Sequence, residues 1–157
     1  MRNRSLSSTA LVIGGGLLAS VGLYFAFLRP ALLPEDLRSM GTSMAFIEAN
    51  IPGLLVWLRR VFVVMGGYMF AAGVLTVHVA TASFRGRARN AFVVVAIAGI
   101  SSIGVMVSVN FLIGSDVRWL LLGLSLPWVL ALVLYRSERR HKLDADVSRS
   151  GPSSRHE

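Results

Sequence analysis

Two polar residues inside long apolar runs, His78 and Asn110, are the side chains best suited to chemistry within a membrane. Ionisable and strongly polar groups are costly in lipid, so each residue needs a reason to be there. An imidazole can ligate haem iron or move a proton, but a b-type haem needs a second axial ligand. The other histidines, His141 and His156, lie near the C-terminus. We therefore expect no haem or other cofactor. For Asn110 we expect a hydrogen bond to a neighbouring helix, with a polar site open to the outer face as the alternative.

Glu35 and Asp36 form a second pair of candidates, directly after Pro34 in a long connection between apolar runs. Proline is favoured at the first position of a helix and acids in its first turn. Apolar residues then recur at helical spacing, at Leu37, Met40, Met44 and Ile47. This pattern predicts a short amphipathic helix over 34–49 on the membrane surface.

The residue types exclude several classes of function. The sequence has no cysteine, which rules out disulfides, thiol redox chemistry and cysteine-ligated metal. The glycine run at 14–16 is not followed by Lys-Ser or Lys-Thr, so it is not a phosphate-binding loop. The predicted spanning helices contain no Asp, Glu or Lys, although a proton-coupled exporter needs a membrane carboxylate. We find no set of catalytic, cofactor-binding or metal-ligating residues, and the sequence favours a non-enzymatic role.

The polar candidates lie within or between four apolar blocks, so the fold of these blocks determines their positions. The composition is 54% hydrophobic and 15% charged, which is too apolar for a soluble domain of this size. The blocks predict spanning helices at about 6–28, 61–83, 91–113 and 118–135, each close to the ~20 residues that a bilayer requires. The predicted fold is an all-α integral membrane four-helix bundle over residues 1–135. Residues 136–157 are predicted to be a disordered basic cytoplasmic tail.

The distribution of Lys and Arg predicts how the bundle lies in the cell (inner) membrane. With the N-terminus inside, eleven of them fall on the cytoplasmic side and five on the outer side, which places both termini in the cytoplasm. The net charge of +8 is concentrated at the ends of the apolar blocks, so we expect no nucleic-acid binding. Residues 54–58 are predicted to be an interfacial lead-in, with Arg59 and Arg60 reaching for lipid headgroups.

Small residues are abundant in the first three predicted spanning helices, and they allow helices to approach closely. They include Gly14, Gly15, Gly16, Ala19, Ser20, Gly22, Gly66, Gly67, Ala71, Ala72, Gly73, Ala98, Gly99, Ser102 and Gly104. The pattern predicts packing within the bundle, and it leaves open an interface with a second copy or with a larger membrane complex. The leading hypothesis is therefore a helix-packing or accessory subunit whose partners are the lipid bilayer and other membrane proteins.

The entry to the second predicted spanning helix carries a family resemblance, through Arg60 followed by Gly66 and Gly67. The stretch is Trp57-Leu58-Arg59-Arg60-Val61-Phe62-Val63-Val64-Met65-Gly66-Gly67. With four short helices of this length, it resembles the DoxX-like group of small bacterial membrane proteins. The resemblance covers about a third of the chain and implies the four-helix architecture. Named members of that group are associated with respiratory or thiosulfate-oxidising quinone chemistry. The resemblance therefore implies an alternative hypothesis, a subunit that handles a quinone or another lipophilic substrate with His78, or with the loop acids Glu35 and Asp36, near a membrane surface.

Overall fold

The computed structural model describes residues 5–86, 88 and 90–149, and for 141–149 it describes the backbone alone. All regular elements in these residues are helices. We number them in chain order: α1 (Leu6–Leu28), α2 (Pro34–Met40), α3 (Met44–Asn50), α4 (Pro52–Phe84), α5 (Ala91–Leu112) and α6 (Arg118–Arg149). Four of them, α1, α4, α5 and α6, are long and apolar enough to cross a membrane. The last turns of α1 and α4 and the middle of α5 are π-helical.

Helix α1 begins with Ser5, whose hydroxyl accepts a hydrogen bond from the backbone N–H of Ser8. This is the ordinary capping arrangement for the free N–H groups of a first turn. The next free group, the N–H of Ser7, donates to the carboxylate of Glu138 in α6 at 3.2 Å, and the Ser7 hydroxyl donates to the same carboxylate at 2.9 Å. An acid at the positive end of a helix dipole is favourable, so this contact ties the start of α1 to α6.

Helices α1 and α4 pack antiparallel through four glycines. Gly15 and Gly22 in α1 are seven residues apart, and so are Gly66 and Gly73 in α4. A methyl group added at Gly22 would lie 2.7 Å from the carbonyl oxygen of Gly66, and one added at Gly73 would lie 2.6 Å from that of Gly15. The obstacles are backbone atoms, which cannot rotate away as a side chain would. The small residues predicted to bring helices together therefore do so at this pair.

Trp128 of α6 packs against α1 on a different face from the one that contacts α4. Its side chain is 4% exposed, and its indole N–H donates to the carbonyl of Val95 in α5 at 3.0 Å. The ring lies against Gly14 of α1 and Gly99 of α5. Because a buried indole N–H without a partner is costly, this bond fixes the ring while the two glycines make room for it.

The first loop contains two short helices where one helix over 34–49 was predicted. Helix α2 ends at Met40 because Gly41 adopts φ 65°, a left-handed conformation that glycine tolerates best. Helix α3 starts again after Ser43, whose hydroxyl accepts from the N–H of Phe46 at 3.2 Å. The single-helix prediction was wrong because the spacing of apolar residues continues across this break.

Helix α4 starts nine residues before the predicted 61. It is continuous from Pro52 to Phe84, so residues 54–58 are part of this 33-residue helix and not an interfacial lead-in. Pro52 suits a first helical position, and no later residue of the helix is a proline. At ~1.5 Å per residue the helix is roughly 50 Å long, which exceeds a hydrocarbon core of ~30 Å.

Helix α6 continues past the predicted end at 135. The described backbone is helical to Arg149, so the predicted disordered tail is wrong for 136–149. This segment has no glycine or proline and contains mostly good helix formers. Residues 150–157, the rest of the predicted tail, lie outside the described residues. Helix α1 covers the predicted residues 6–28, and α5 covers the predicted 91–113 but ends one residue early.

Candidate functional site

The four predicted polar candidates fall at three separate places. Glu35 and Asp36 lie in α2 and contact different partners. Glu35 is 8% exposed, and its carboxylate accepts from the hydroxyl of Ser115, in the connection between α5 and α6, at 3.3 Å. Because a buried carboxylate needs hydrogen-bond donors, this contact holds α2 against the connection between α5 and α6.

Asp36 forms an ion pair with Arg29, the residue that follows α1, at 3.0 Å. The same carboxylate oxygen accepts from the backbone N–H of Leu33 at 2.8 Å, which caps the start of α2. The guanidinium of Arg29 lies 3.8 Å from the ring centroid of Phe62, so it also stacks on α4. Arg29 thus joins the first loop to α1 and α4.

Arg59 of α4 has a role that the sequence did not predict. Its guanidinium donates to the carbonyl of Arg29 at 2.7 Å and to that of Phe27 at 3.0 Å. Carbonyls at the end of a helix lack partners within the helix, and a cation there also meets the negative end of the dipole. The sequence predicted that Arg59 and Arg60 reach for headgroups; in the structure both are exposed, and the guanidinium of Arg59 binds these two carbonyls.

These contacts define a loop cluster that consists of Arg29, Glu35, Asp36, Arg59 and Ser115. A second ion pair nearby, Arg38 to Asp116 at 2.7 Å, is exposed. Arg118, which is close to Asp116 in the sequence, donates to the carbonyl of Ser115 instead. Both acids of the loop cluster already bind a hydrogen-bond donor: Glu35 binds Ser115, and Asp36 binds Arg29. The arrangement is therefore suited to fastening the loop across the ends of the helices.

His78 and Asn110 are not brought together. His78 is exposed on α4, while Asn110 is partly buried in α5 and its amide donates to the carbonyl of Met106 at 2.9 Å. This bond lies within Asn110's own helix, so the predicted bond to a neighbouring helix is wrong.

We therefore expect His78→Ala and Asn110→Ala to act independently. In the separated chain, each should change the free energy of unfolding by less than about 1 kcal/mol, since neither removes a bond between helices of the same chain. The double variant should equal the sum of the two within roughly 0.5 kcal/mol. Denaturant titration of the four proteins in detergent measures this. A coupling above about 1 kcal/mol would show that the two residues share a site.

At the opposite end of the bundle from the loop cluster, α1 and α4 leave an open groove of about 250 Å³. We call it the Arg85 groove. Its lining residues are Ser8, Thr9, Val12, Thr81 and Arg85. The sequence does not indicate this groove, because its hydroxyl residues come from two separate helices and Arg85 is one of several arginines between apolar blocks.

A third feature is an outward face of α4, which we call the outward stripe. It consists of Gly67, Ala71, Val74 and His78, all of them exposed. Their spacing of four, three and four residues keeps them on one face of a helix. Gly66, Gly73 and Thr76, which are buried, lie on the opposite face. A methyl group added at Gly67 would meet no atom within 4 Å.

In the part of the chain that the structure describes, no three His, Cys, Asp or Glu residues are grouped so that they could hold a metal ion. Comparison of the chain with models of known protein families, with curated proteins and with solved structures finds no match.

Proposed function

We propose that this chain is a multi-pass membrane protein that acts as a non-enzymatic helix-packing subunit, in a homo-oligomer or a larger membrane complex. In this proposal α1, α4, α5 and α6 cross the cell membrane, and both termini lie in the cytoplasm as the positive-inside rule indicates. The observation that carries the proposal is the outward stripe of α4.

The stripe has the composition of a contact between membrane helices. Lipid tails are as apolar as leucine, so a lipid-facing surface gains nothing from small residues, whereas two helices that approach closely do. Within the chain, Gly66 and Gly73 show this use on the inner face of α4. Gly67 and Ala71 offer the same shape on the outer face, where the described residues leave it uncovered.

His78 supports the same proposal because it shares the stripe. A polar side chain on a lipid-facing surface is costly, and such residues in membrane proteins usually face another protein segment or a water-filled cavity. A partner helix over the stripe would cover His78 and supply a hydrogen-bond acceptor or donor. This accounts for the histidine without a cofactor.

The experiment compares two glycines that both face open space in the chain, Gly67 in the stripe and Gly16 in α1. Gly67→Leu should separate the complex, since the added side chain keeps the partner helix away, and Gly16→Leu should leave it intact. The size of the complex extracted from its own membrane is the quantity to measure.

The alternative proposal is a subunit that handles a quinone or another lipophilic substrate, and it depends on the resemblance to the DoxX-like group. Glu35 and Asp36 support it less than the sequence suggested, because Ser115 and Arg29 already bind them. An oxidoreductase encoded beside this protein would favour the alternative.

A further inference from the structure

We propose that the Arg85 groove binds the phosphate of an anionic phospholipid. The inference depends on the membrane insertion proposed above and is independent of which complex the chain joins. The groove lies between the start of α1 and the end of α4, where both helices would leave the hydrocarbon core.

The charge of the groove selects an anion. Arg85 is partly buried, and no acid is among the lining residues. Across the described residues, two arginines form ion pairs, Arg29 with Asp36 and Arg38 with Asp116, and Arg85 is in neither pair. A partly buried guanidinium gains from a counterion, and its planar fork of N–H donors matches a phosphate.

The hydroxyl groups of the groove provide a polar wall but few free hydrogens. The Ser8 hydroxyl donates to the carbonyl of Ala80 at 2.6 Å, and the Thr81 hydroxyl donates to the carbonyls of Val77 and His78, each at 3.0 Å. Arg85 is therefore the residue that would donate to the bound group. Its substitution should remove most of the preference for an anion.

The groove becomes less polar with depth, as a phospholipid does from its headgroup to its acyl chains. Val12 lies one turn further into α1 than Ser8, at ~1.5 Å of rise per residue, so it is about 6 Å deeper. Arg85 lies about one turn beyond Thr81, directly after the end of α4. A volume of about 250 Å³ is below the 300 to 1,000 Å³ or so of pockets for whole drug-sized ligands, and it suits a phosphate with its ester carbons.

The test is native mass spectrometry of the purified full-length protein in micelles with equal amounts of phosphatidylglycerol and phosphatidylcholine. Wild type should retain phosphatidylglycerol with a preference of roughly fivefold, the effect expected of one arginine at a membrane surface. Arg85→Gln should retain the two lipids about equally. Arg139→Gln removes the same charge from an exposed position in α6 and should keep the wild-type preference. Val12→Phe, which fills the groove and keeps the charge, should lower it.

An unchanged preference in Arg85→Gln would overturn the proposal, and so would an equal loss in Arg139→Gln. Displacement of the lipid by millimolar inorganic phosphate would mean a site for free phosphate instead. Each ratio is measured on folded molecules, so protein yield does not affect it. Release of the protein from membranes by alkaline carbonate would contradict membrane insertion itself. A protein that stays in the membrane without lipid preference contradicts this inference alone.

Discussion

Gly22→Ala and Gly66→Ala should each destabilise the protein by about 3 kcal/mol, the upper part of the usual range for overpacking. The added methyl group meets the backbone of the facing helix, with Gly22 directed at the Gly66 carbonyl and Gly66 at the backbone of Ala26. The helices would have to separate to admit it. Contacts on both sides of the glycine would then loosen, including those made by residues that were not changed.

Two other glycines of the same helices are the controls. Gly16 and Gly67 have no atom within 4 Å of an added methyl group. In the separated chain, alanine there should be neutral or stabilise by up to about 1 kcal/mol, because it is the better helix former. Equilibrium unfolding of the separated chain in mixed detergent measures all four variants. A cost at Gly16 comparable to that at Gly66 would show that α1 and α4 do not pack by the faces described.

Asp36→Ala should destabilise the protein by about 2 to 3 kcal/mol. The Arg29 side chain is 9% exposed and that of Asp36 is 21% exposed, so removal of the acid leaves a nearly buried guanidinium without its counterion. Breaking a fully buried pair costs about 3 to 5 kcal/mol, and the partial exposure of Asp36 lowers that figure. The variant also loses the cap on the N–H of Leu33.

The exposed ion pair of Arg38 and Asp116 is the matched control. Its side chains are 62% and 64% exposed, and Asp116→Ala should cost no more than about 0.5 kcal/mol. Arg29→Met added to Asp36→Ala should restore part of the loss, since the charge that lacked a partner is gone. If Asp36→Ala and Asp116→Ala cost the same, the loop cluster does not hold the loop in place.

The four long apolar helices were predictable because each coincides with a long apolar run of the sequence. α1 and α5 end within one residue of the predicted bounds for this reason. The start of α4 and the end of α6 were not predictable from hydropathy, since outside an apolar run a helix is limited by its own capping and propensity. Residues 136–149 are highly charged, as disordered tails are, but contain no helix breaker.

The polar contacts were less predictable than the helices. Arg29 and Asp36 are seven residues apart, and Glu35 and Ser115 are eighty apart, so both pairs depend on how the loop folds over the helix ends. The equal spacing of Gly15 and Gly22 and of Gly66 and Gly73 was visible in the sequence. It is the signal that could have predicted the pairing of α1 with α4.

The central claim, that the outward stripe packs against another membrane protein or a second copy, is tested most directly by the protein mass of the particle extracted from its own membrane in mild detergent. Light scattering that separates protein from detergent gives this mass. The account predicts a particle heavier than the single 17.0 kDa chain for wild type and Gly16→Leu, and a single chain for Gly67→Leu. A single chain for wild type, or an unchanged heavier particle for Gly67→Leu, would contradict it.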